Sequence, residues 1–322
     1  MRVLMLGTPA FAVPTFEALL ASRHDVVGLV CQPDRPRGRG QRVMAPPTKE
    51  IAAARGLPVF QPVRLRDEAL MAALGDLRAD IGVVAAYGRL LPDALIALPA
   101  RGMINVHASL LPKYRGAAPI QRAVMAGETD TGATIMRVVR ELDAGPMLAS
   151  VRMPIGPDDT SVDVERALAT AGAAPLVETL DRLARGEDVP EVEQDHDAAT
   201  HAPKIERADG AIDWTMPAAR IHDQVRGLHP WPHAFTFLAG DRLLVHRTST
   251  SAQATTGAPG DFLASPDGRL SVATGDGAID VVEIQPEGRR VMPAAAWLAG
   301  RRAIEAGRFE GQRAEGTGQR KK

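Results

Sequence analysis

Asn105 and His107, at the end of one apolar run, are residue types whose spacing suggests chemistry. Ile104-Asn105-Val106-His107-Ala108 predicts a strand that enters a polar loop, Ser109-Leu110-Leu111-Pro112-Lys113-Tyr114-Arg115-Gly116. Side chains at i and i+2 of a strand leave on the same face, so an amide and an imidazole aim at one spot. Asp143 lies in Glu141-Leu142-Asp143-Ala144-Gly145-Pro146, a turn after another predicted strand, and so also at a sheet end. An Asp can hold an imidazole in one tautomer and stabilise its charged form, and an Asn amide can donate to a developing oxyanion. No Ser or Cys nucleophile with an adjacent base is evident, and the histidines are scattered without metal-ligand spacing, so no metal is expected. What remains is acyl transfer without a covalent intermediate. An external nucleophile attacks a carbonyl, Asn105 and His107 hold the oxyanion, and Asp143 helps move protons. A purely structural role for a His at a strand end stays open at the level of spacing alone.

The elements around this set follow a β-α-β grammar. Residues 2–6 and 25–30 predict buried strands joined by a helix that carries Phe11, Val13, Phe16, Leu19 and Leu20 at helical spacing. Helices near 49–55 and 67–77, strands at 58–60, 81–86 and 103–108, a helix at 119–126, and strands at 134–139 and 147–153 continue the pattern. It predicts a doubly wound α/β domain with a parallel sheet. One long helix is expected over 160–185, with Val164, Leu168, Leu176, Val177, Leu180 and Leu183 as its apolar face, then a short strand at 189–194. The first turn, Gly7-Thr8-Pro9-Ala10-Phe11-Ala12, lacks G-x-G-x-x-G, and Pro9 stands where a backbone would approach a pyrophosphate; no NAD is expected. Ligands of such folds bind at the carboxyl ends of the strands, where Asn105 and His107 fall.

The domain limits read from composition are 1–194 for the catalytic domain, 195–211 for a linker, 212–310 for a second domain and 311–322 for a tail. The second domain changes grammar. Short strands at 243–246, 261–263, 270–273 and 279–284, separated by turns such as Pro266-Asp267-Gly268, predict a small β-barrel or sandwich. A chain of 322 residues, 45% hydrophobic and 24% charged with net charge -1, suits two globular domains. One cysteine, Cys31, excludes an intramolecular disulfide, and no apolar run reaches the ~20 residues of a membrane span. A mature cytoplasmic protein is expected. The near-neutral total hides a basic end: residues 289–322 hold nine Lys or Arg against three Glu. The last dozen, Gly-rich and almost without apolar residues, are expected to be disordered, either as a solubilising end or as a nucleic-acid contact.

The motifs taken together carry a resemblance. Asn105-Val106-His107-Ala108-Ser109-Leu110-Leu111-Pro112, then Tyr114-Arg115-Gly116-Ala117-Ala118-Pro119-Ile120, then Leu142-Asp143-Ala144-Gly145 resemble the signature of the 10-formyltetrahydrofolate-dependent formyltransferases. Gly7-Thr8-Pro9 with Phe11-Ala12, Gln32-Pro33-Asp34-Arg35-Pro36 with Gly38-Arg39-Gly40, Ala85-Ala86-Tyr87-Gly88, Ile212-Asp213-Trp214 and Pro230-Trp231-Pro232 extend the similarity along nearly the whole chain, toward members whose acceptor is initiator methionyl-tRNA. The resemblance implies a Rossmann-like domain followed by an OB-like β-barrel, and movement of a formyl group from N10 of 10-formyltetrahydrofolate, the co-substrate, to the α-amine of methionyl-tRNA. It implies that Asn105, His107 and Asp143 are the catalytic trio, that Ser109, Leu110, Leu111 and Pro112 form the folate-contacting loop, and that Ala86, Tyr87 and Gly88 wall the pterin pocket. A monomer without membrane contact is expected. The alternatives are a formyltransferase acting on a small amine, such as an amino sugar nucleotide or glycinamide ribonucleotide, a hydrolase of the formylated folate, and an RNA-binding module with a decayed site.

The loop 33–47 carries Arg35, Arg37, Arg39 and Arg42 against one acid, Asp34. Long charged loops beside a ligand site are often functional, and by resemblance this one enters the tRNA acceptor stem, with Arg39 nearest the reacting end. Several arginines and little sequence code suit a single-stranded RNA end held through its phosphates. Lys204 matches a basic linker position, although Glu206 and Asp209 balance Lys204 and Arg207 there. In the second domain RNA contact is expected from Arg289, Arg290, Arg301 and Arg302, whereas Trp214, Trp231 and Trp297 are expected in core or interface.

Overall fold

The computed structural model describes residues 1–37, 42–251, 257–300 and 306–311; for Arg37 and Arg42 the backbone alone is described. Two compact units are present, one of Met1–Pro119, Asp130–Pro154 and Val164–Pro203, the other of Ile120–Thr129, Ile155–Asp163 and Lys204–Lys322.

As far as Pro203 the chain runs through β1 (Arg2–Gly7), α1 (Ala12–Ala21), β2 (Asp25–Val30), β3 (Arg35–Arg37), β4 (Arg42–Met44), α2 (Pro47–Ala54), β5 (Val59–Phe60), α3 (Glu68–Asp76), β6 (Ile81–Ala85), α4 (Asp93–Ile96), β7 (Met103–His107), β8 (Arg115–Gly116), α5 (Pro119–Met125), β9 (Asp130–Arg137), β10 (Met147–Pro154), α6 (Ser161–Ala171), α7 (Ala173–Ala184) and β11 (His201–Ala202). Seven of the strands form one sheet in the order β10-β9-β7-β6-β1-β2-β5. Its body from β5 to β7 is parallel, and β9 and β10 add antiparallel partners at one edge. This is the doubly wound, mostly parallel, Rossmann-like architecture. Val3, Leu4, Met5 and Leu6 of β1 are 0% exposed, which is why the strand is an unbroken apolar run; each contributes about 1.5–3 kcal/mol on burial. From β1 the chain winds first toward β2 and β5 and later toward β6 and β7. The winding therefore reverses beside β1, where the carboxyl ends of β1, β6 and β7 border the crevice that such sheets use for ligands.

Several elements depart from expectation. The single helix expected over 160–185 is two, α6 and α7, broken at Gly172. A Cβ there would stand 2.8 Å from Val106 Cγ1 and 3.2 Å from Ala133 Cβ, so close approach to β7 and β9 demands glycine. The strand expected at 189–194 shrinks to one bridge between Val192 and Met147. The segment 195–211 is not a free connection: β11 pairs in parallel with β8, and Arg207–Gly210 form a 3₁₀ turn. The arginine loop holds a short antiparallel hairpin, with Arg35 opposite Met44 and Arg37 opposite Arg42.

The second unit contains α8 (Ala218–Gly227), β12 (Ala234–Leu238), β13 (Asp241–Thr250), β14 (Asp261–Ala264), β15 (Leu270–Ala273), β16 (Ala278–Pro286), β17 (Met292–Pro293), α9 (Ala294–Ala299) and β18 (Ala306–Arg308). Its sheet runs β12-β13-β16-β15-β14-β18, antiparallel throughout, and Glu310 just past β18 bridges back to Phe237 of β12. The result is a curled OB-like half-barrel closed around Trp214, Ile221, Val225, Phe262, Ile279, Trp297 and Phe309. Helices α8 and α9 and strand β12 were absent from the sequence expectation. Trp214 and Trp297 are core residues as expected, Trp214 stacking on Phe309 at 5.7 Å and donating from Nε1 to Thr236 Oγ1 at 3.0 Å, whereas Trp231 is 51% exposed.

Candidate active site

Strand β7 presents Asn105 half-buried and His107 5% exposed, two residues apart at its carboxyl end. Its neighbours fix the register: Asn105 lies opposite Val84 of β6 and Met136 of β9, and His107 opposite Thr134. The His107 ring is held from both edges. Nε2 lies 3.0 Å from the carbonyl of Tyr114, and Nδ1 lies 3.7 Å from Asp143 Oδ2. A carbonyl only accepts, so the network assigns the proton of the neutral ring to Nε2 and leaves Nδ1 facing the carboxylate. At 3.7 Å the pair is an electrostatic contact, too long for a hydrogen bond until the site tightens.

Asp143 is held in an unusual conformation. Its φ is +50°, a left-handed backbone that costs a non-glycine residue about 1–2 kcal/mol. Three bonds secure it. Oδ2 accepts the Gly116 N–H at 2.9 Å, its carbonyl accepts Gln194 Nε2 at 2.9 Å, and the same Nε2 donates to the Gly145 carbonyl at 2.7 Å. Gln194 is fixed in turn by Arg115, whose Nε donates to Oε1 at 2.9 Å. Gly116 has φ +129°, and a Cβ on it would stand 2.6 Å from the Ala202 carbonyl oxygen, so β8 can offer that N–H only as glycine. Gln194 and Arg115 were not picked out as site residues. Arg115 lay within a quoted motif, but Gln194 is 51 residues from Asp143, at the end of a stretch expected only as a short strand.

The loop after β7 is braced internally. Ser109 is fully buried and its hydroxyl donates to the Lys113 carbonyl at 2.6 Å. Thr134 Oγ1 donates to the Ser109 carbonyl at 2.7 Å and accepts the Leu111 N–H at 3.2 Å. The Ser109 hydroxyl thus shapes the loop, and Leu110 and Pro112, half-buried, are its more open members beside buried Leu111. At the neighbouring strand end Ala86 has φ +46° and Gly88 φ +83°, and the carbonyl of buried Tyr87 accepts Thr8 Oγ1 at 3.3 Å and Gln32 Nε2 at 3.2 Å. Burial raises the Tyr87 hydroxyl above its ordinary pKa and pushes the Cys31 thiol up to about 11. The site edge therefore combines an amide, an imidazole beside a carboxylate, and two rigid loops at one end of the sheet.

Of the basic residues, Arg35 donates from Nη2 to Gln32 Oε1 at 3.3 Å, which ties the hairpin to the Tyr87 network. Arg37 and Arg42 pair through their backbones, and Arg39 lies outside the described residues. Lys204, Arg289 and Arg290 are exposed in the second unit, and Arg301, Arg302 and the tail from 312 lie outside the described residues. The expectation that the histidines do not gather is overturned: His229, His233 and His246 of the second unit bring one ring nitrogen each within 4.8 Å of the others. Their sequence signal was the His-x-x-x-His spacing of 229 and 233; His246 comes from a separate strand.

Residues 1–180 match the model of the formyl transferase family, and residues 204–302 match that of the formyl transferase C-terminal domain. The chain is 45% identical over 300 residues to a protein of Citrifermentans bemidjiense named methionyl-tRNA formyltransferase, covering 93% of each. It is 46% identical over 305 residues to a protein of the same name from Solibacter usitatus, covering 95% of this chain and 97% of that one. Among solved structures, HypX from Aquifex aeolicus in complex with tetrahydrofolic acid superposes with a TM-score of 0.62 at 19% identity, over 92% of this chain and 47% of that longer one. An N-formyltransferase from Helicobacter canadensis in complex with folinic acid and dTDP-3-aminofucose gives 0.66 at 15% identity, over 88% and 98%. These two structures share the fold. With both of its parts matched and relatives of this similarity along almost its full length, the chain belongs to the formyl transferase family.

Proposed function

We propose that the protein moves a formyl group from N10 of 10-formyltetrahydrofolate to the α-amine of initiator methionyl-tRNA. The observation that carries this is the His107–Asp143 pair beside Asn105 at the sheet edge, in a chain 42–46% identical to proteins named methionyl-tRNA formyltransferase. The neutral amine attacks the formyl carbon, and the C–N10 bond breaks as the tetrahedral oxyanion collapses. One proton leaves the attacking nitrogen and one arrives at N10. His107 Nδ1 with Asp143 takes the first and supplies the second, because Nε2 is committed to the Tyr114 carbonyl. The Asn105 amide donates to the oxyanion, and donors fixed on a strand need no reorganisation as charge develops.

The loops 109–112 and 86–88 hold the folate in this reading. Arg35, Arg37, Arg39 and Arg42 meet the acceptor end of the tRNA, and Lys204, Arg289, Arg290, Arg301 and Arg302 its body. The first unit up to about residue 194 does the chemistry, and the barrel from about 212 holds RNA. The protein acts as a monomer in the cytoplasm. Among the described residues no helix is long and apolar enough to cross a membrane. The test is transfer of labelled formyl from 10-formyltetrahydrofolate to charged initiator methionyl-tRNA. No product with that acceptor, alongside turnover with a sugar amine or water, would overturn the assignment.

A further inference from the structure

The second unit holds a cluster that formyl transfer does not use. His229 follows α8, His233 immediately precedes β12, and His246 sits within β13. Strand pairing sets Ala234 opposite Val245, so the next step outward sets His233 opposite His246, and their rings stand 4.0 Å apart between centroids. The His229 ring meets that of His233 at 5.4 Å, edge to face. Pro230 and Pro232 between the two restrict the turn that presents them.

Three features make this more than aromatic packing. First, one nitrogen from each ring lies within 4.8 Å of the others, and tetrahedral coordination at about 2.0–2.1 Å per bond needs about 3.3 Å between nitrogens, so a closure of at most about 1.5 Å completes the set. Second, Nδ1 of His229 and Nδ1 of His233 are cut off from solvent with no hydrogen-bond partner among the described residues, an arrangement that costs free energy unless something else binds them. Third, His246 has the support of a metal ligand. Gln285 Nε2 donates to the Arg289 carbonyl at 2.8 Å, which turns Oε1 toward His246 Nε2 at 2.9 Å. An amide oxygen only accepts, so His246 Nε2 carries the proton and Nδ1 keeps its lone pair, as an outer hydrogen bond does for ligating histidines. His233 also holds φ +65°, a strained conformation for a non-glycine residue of the kind that gathers at binding sites.

We propose that His229, His233 and His246 form a three-imidazole site for a divalent first-row transition ion, Zn(II) above all, that fastens the α8–β12 connection to β13 and keeps one coordination position for water. Imidazole suits Zn(II), and three nitrogen ligands leave a tetrahedral ion one open position. All three residues are half-buried, so the ion has access and is still partly shielded.

The test uses the full-length protein, stripped with a chelator and titrated with zinc chloride in a calorimeter. The expected result is one Zn(II) per chain and a rise in melting temperature. His233→Gly suits the positive φ and so keeps the fold. It should weaken Zn(II) by at least about tenfold and abolish the thermal shift, and Gln285→Ala should cost about tenfold through loss of the orienting bond. In the unaltered protein, added Co(II) should broaden the ring resonances of His229, His233 and His246 before those of His196, His201 or His222. Absence of stoichiometric uptake, unchanged affinity in His233→Gly, or broadening centred on the other histidines would overturn the site.

Discussion

Gln194→Leu removes a side chain that never touches the reacting groups yet should slow the reaction. Three hydrogen bonds go: those from Nε2 to the carbonyls of Asp143 and Gly145, and that from Arg115 Nε to Oε1. Two are neutral and one is charge-assisted. At about 0.5–1.5 and 1.5–3 kcal/mol the gross loss is roughly 2.5–6 kcal/mol. Gln194 is 3% exposed and Arg115 7%, and Arg115 Nη2 is already buried without a hydrogen-bond partner among the described residues, so water does not readily replace what is lost. Asp143 sits at φ +50°, about 1–2 kcal/mol above an ordinary conformation, and relaxes when its carbonyl is released. That swings its carboxylate away from His107 Nδ1. If the whole strain of about 1–2 kcal/mol biases the turn to the relaxed state, kcat falls about five- to thirtyfold, at 1.36 kcal/mol per decade. The assay is formyl transfer at saturating tRNA with folate varied, beside urea unfolding of the same variant. The expected split is a lower kcat with the folate KM nearly unchanged, and a midpoint shift in urea. Gln194→Glu should restore the Arg115 contact and the stability better than the rate, because it cannot donate to the Asp143 carbonyl. Lost stability with kcat within twofold of the parent would show that Gln194 supports the fold alone.

His107→Ala should lower kcat by at least about 100-fold, the usual loss for a positioned group that moves a proton in the transition state, and near-normal turnover would remove His107 from the mechanism. In the second unit burial works against the charge of Asp209, but its bonds from Arg122 and from the Glu206 N–H outweigh that and hold its carboxyl below the ordinary value. A depressed folded pKa stabilises the fold above the unfolded value near 4 and ceases to do so as pH falls through the folded one. Asp209→Asn should therefore cost about 1–3 kcal/mol at pH 7, with the gap to the parent closing below about pH 4 in urea titrations; a pH-independent gap would contradict the ion-pair account. Cys31 is fully buried, with its thiol pushed up to about 11, so a thiol reagent at pH 8 should find no reactive group in the folded protein and one per chain after unfolding. Rapid labelling of the native chain would show that the sheet opens around β2.

Local residue order determined much of this protein. Unbroken apolar runs made β1, β2 and β6 legible as strands covered on both faces, and two-residue periodicity put Asn105 and His107 on one side of β7. The ordered motifs around them pointed to the family, because the residues of each motif stand close together in the chain. The polar helix α8 was not legible, because Ile221 and Val225, four residues apart, are too few apolar positions to mark a helix. Only the tertiary structure decided the rest. Gly172 looked like a tolerable residue inside one long helix until Val106 and Ala133 were seen to crowd it. The hold of Gln194 on Asp143 spans 51 residues, and that of Arg115 on Gln194 spans 79. The three histidines converge because β12 pairs with β13 and the turn after α8 folds against that pair. Pattern along a chain reports which face of an element is buried. It carries no information on which polar groups from distant segments meet, since those contacts arise only when separate elements pack and each buried donor must find an acceptor.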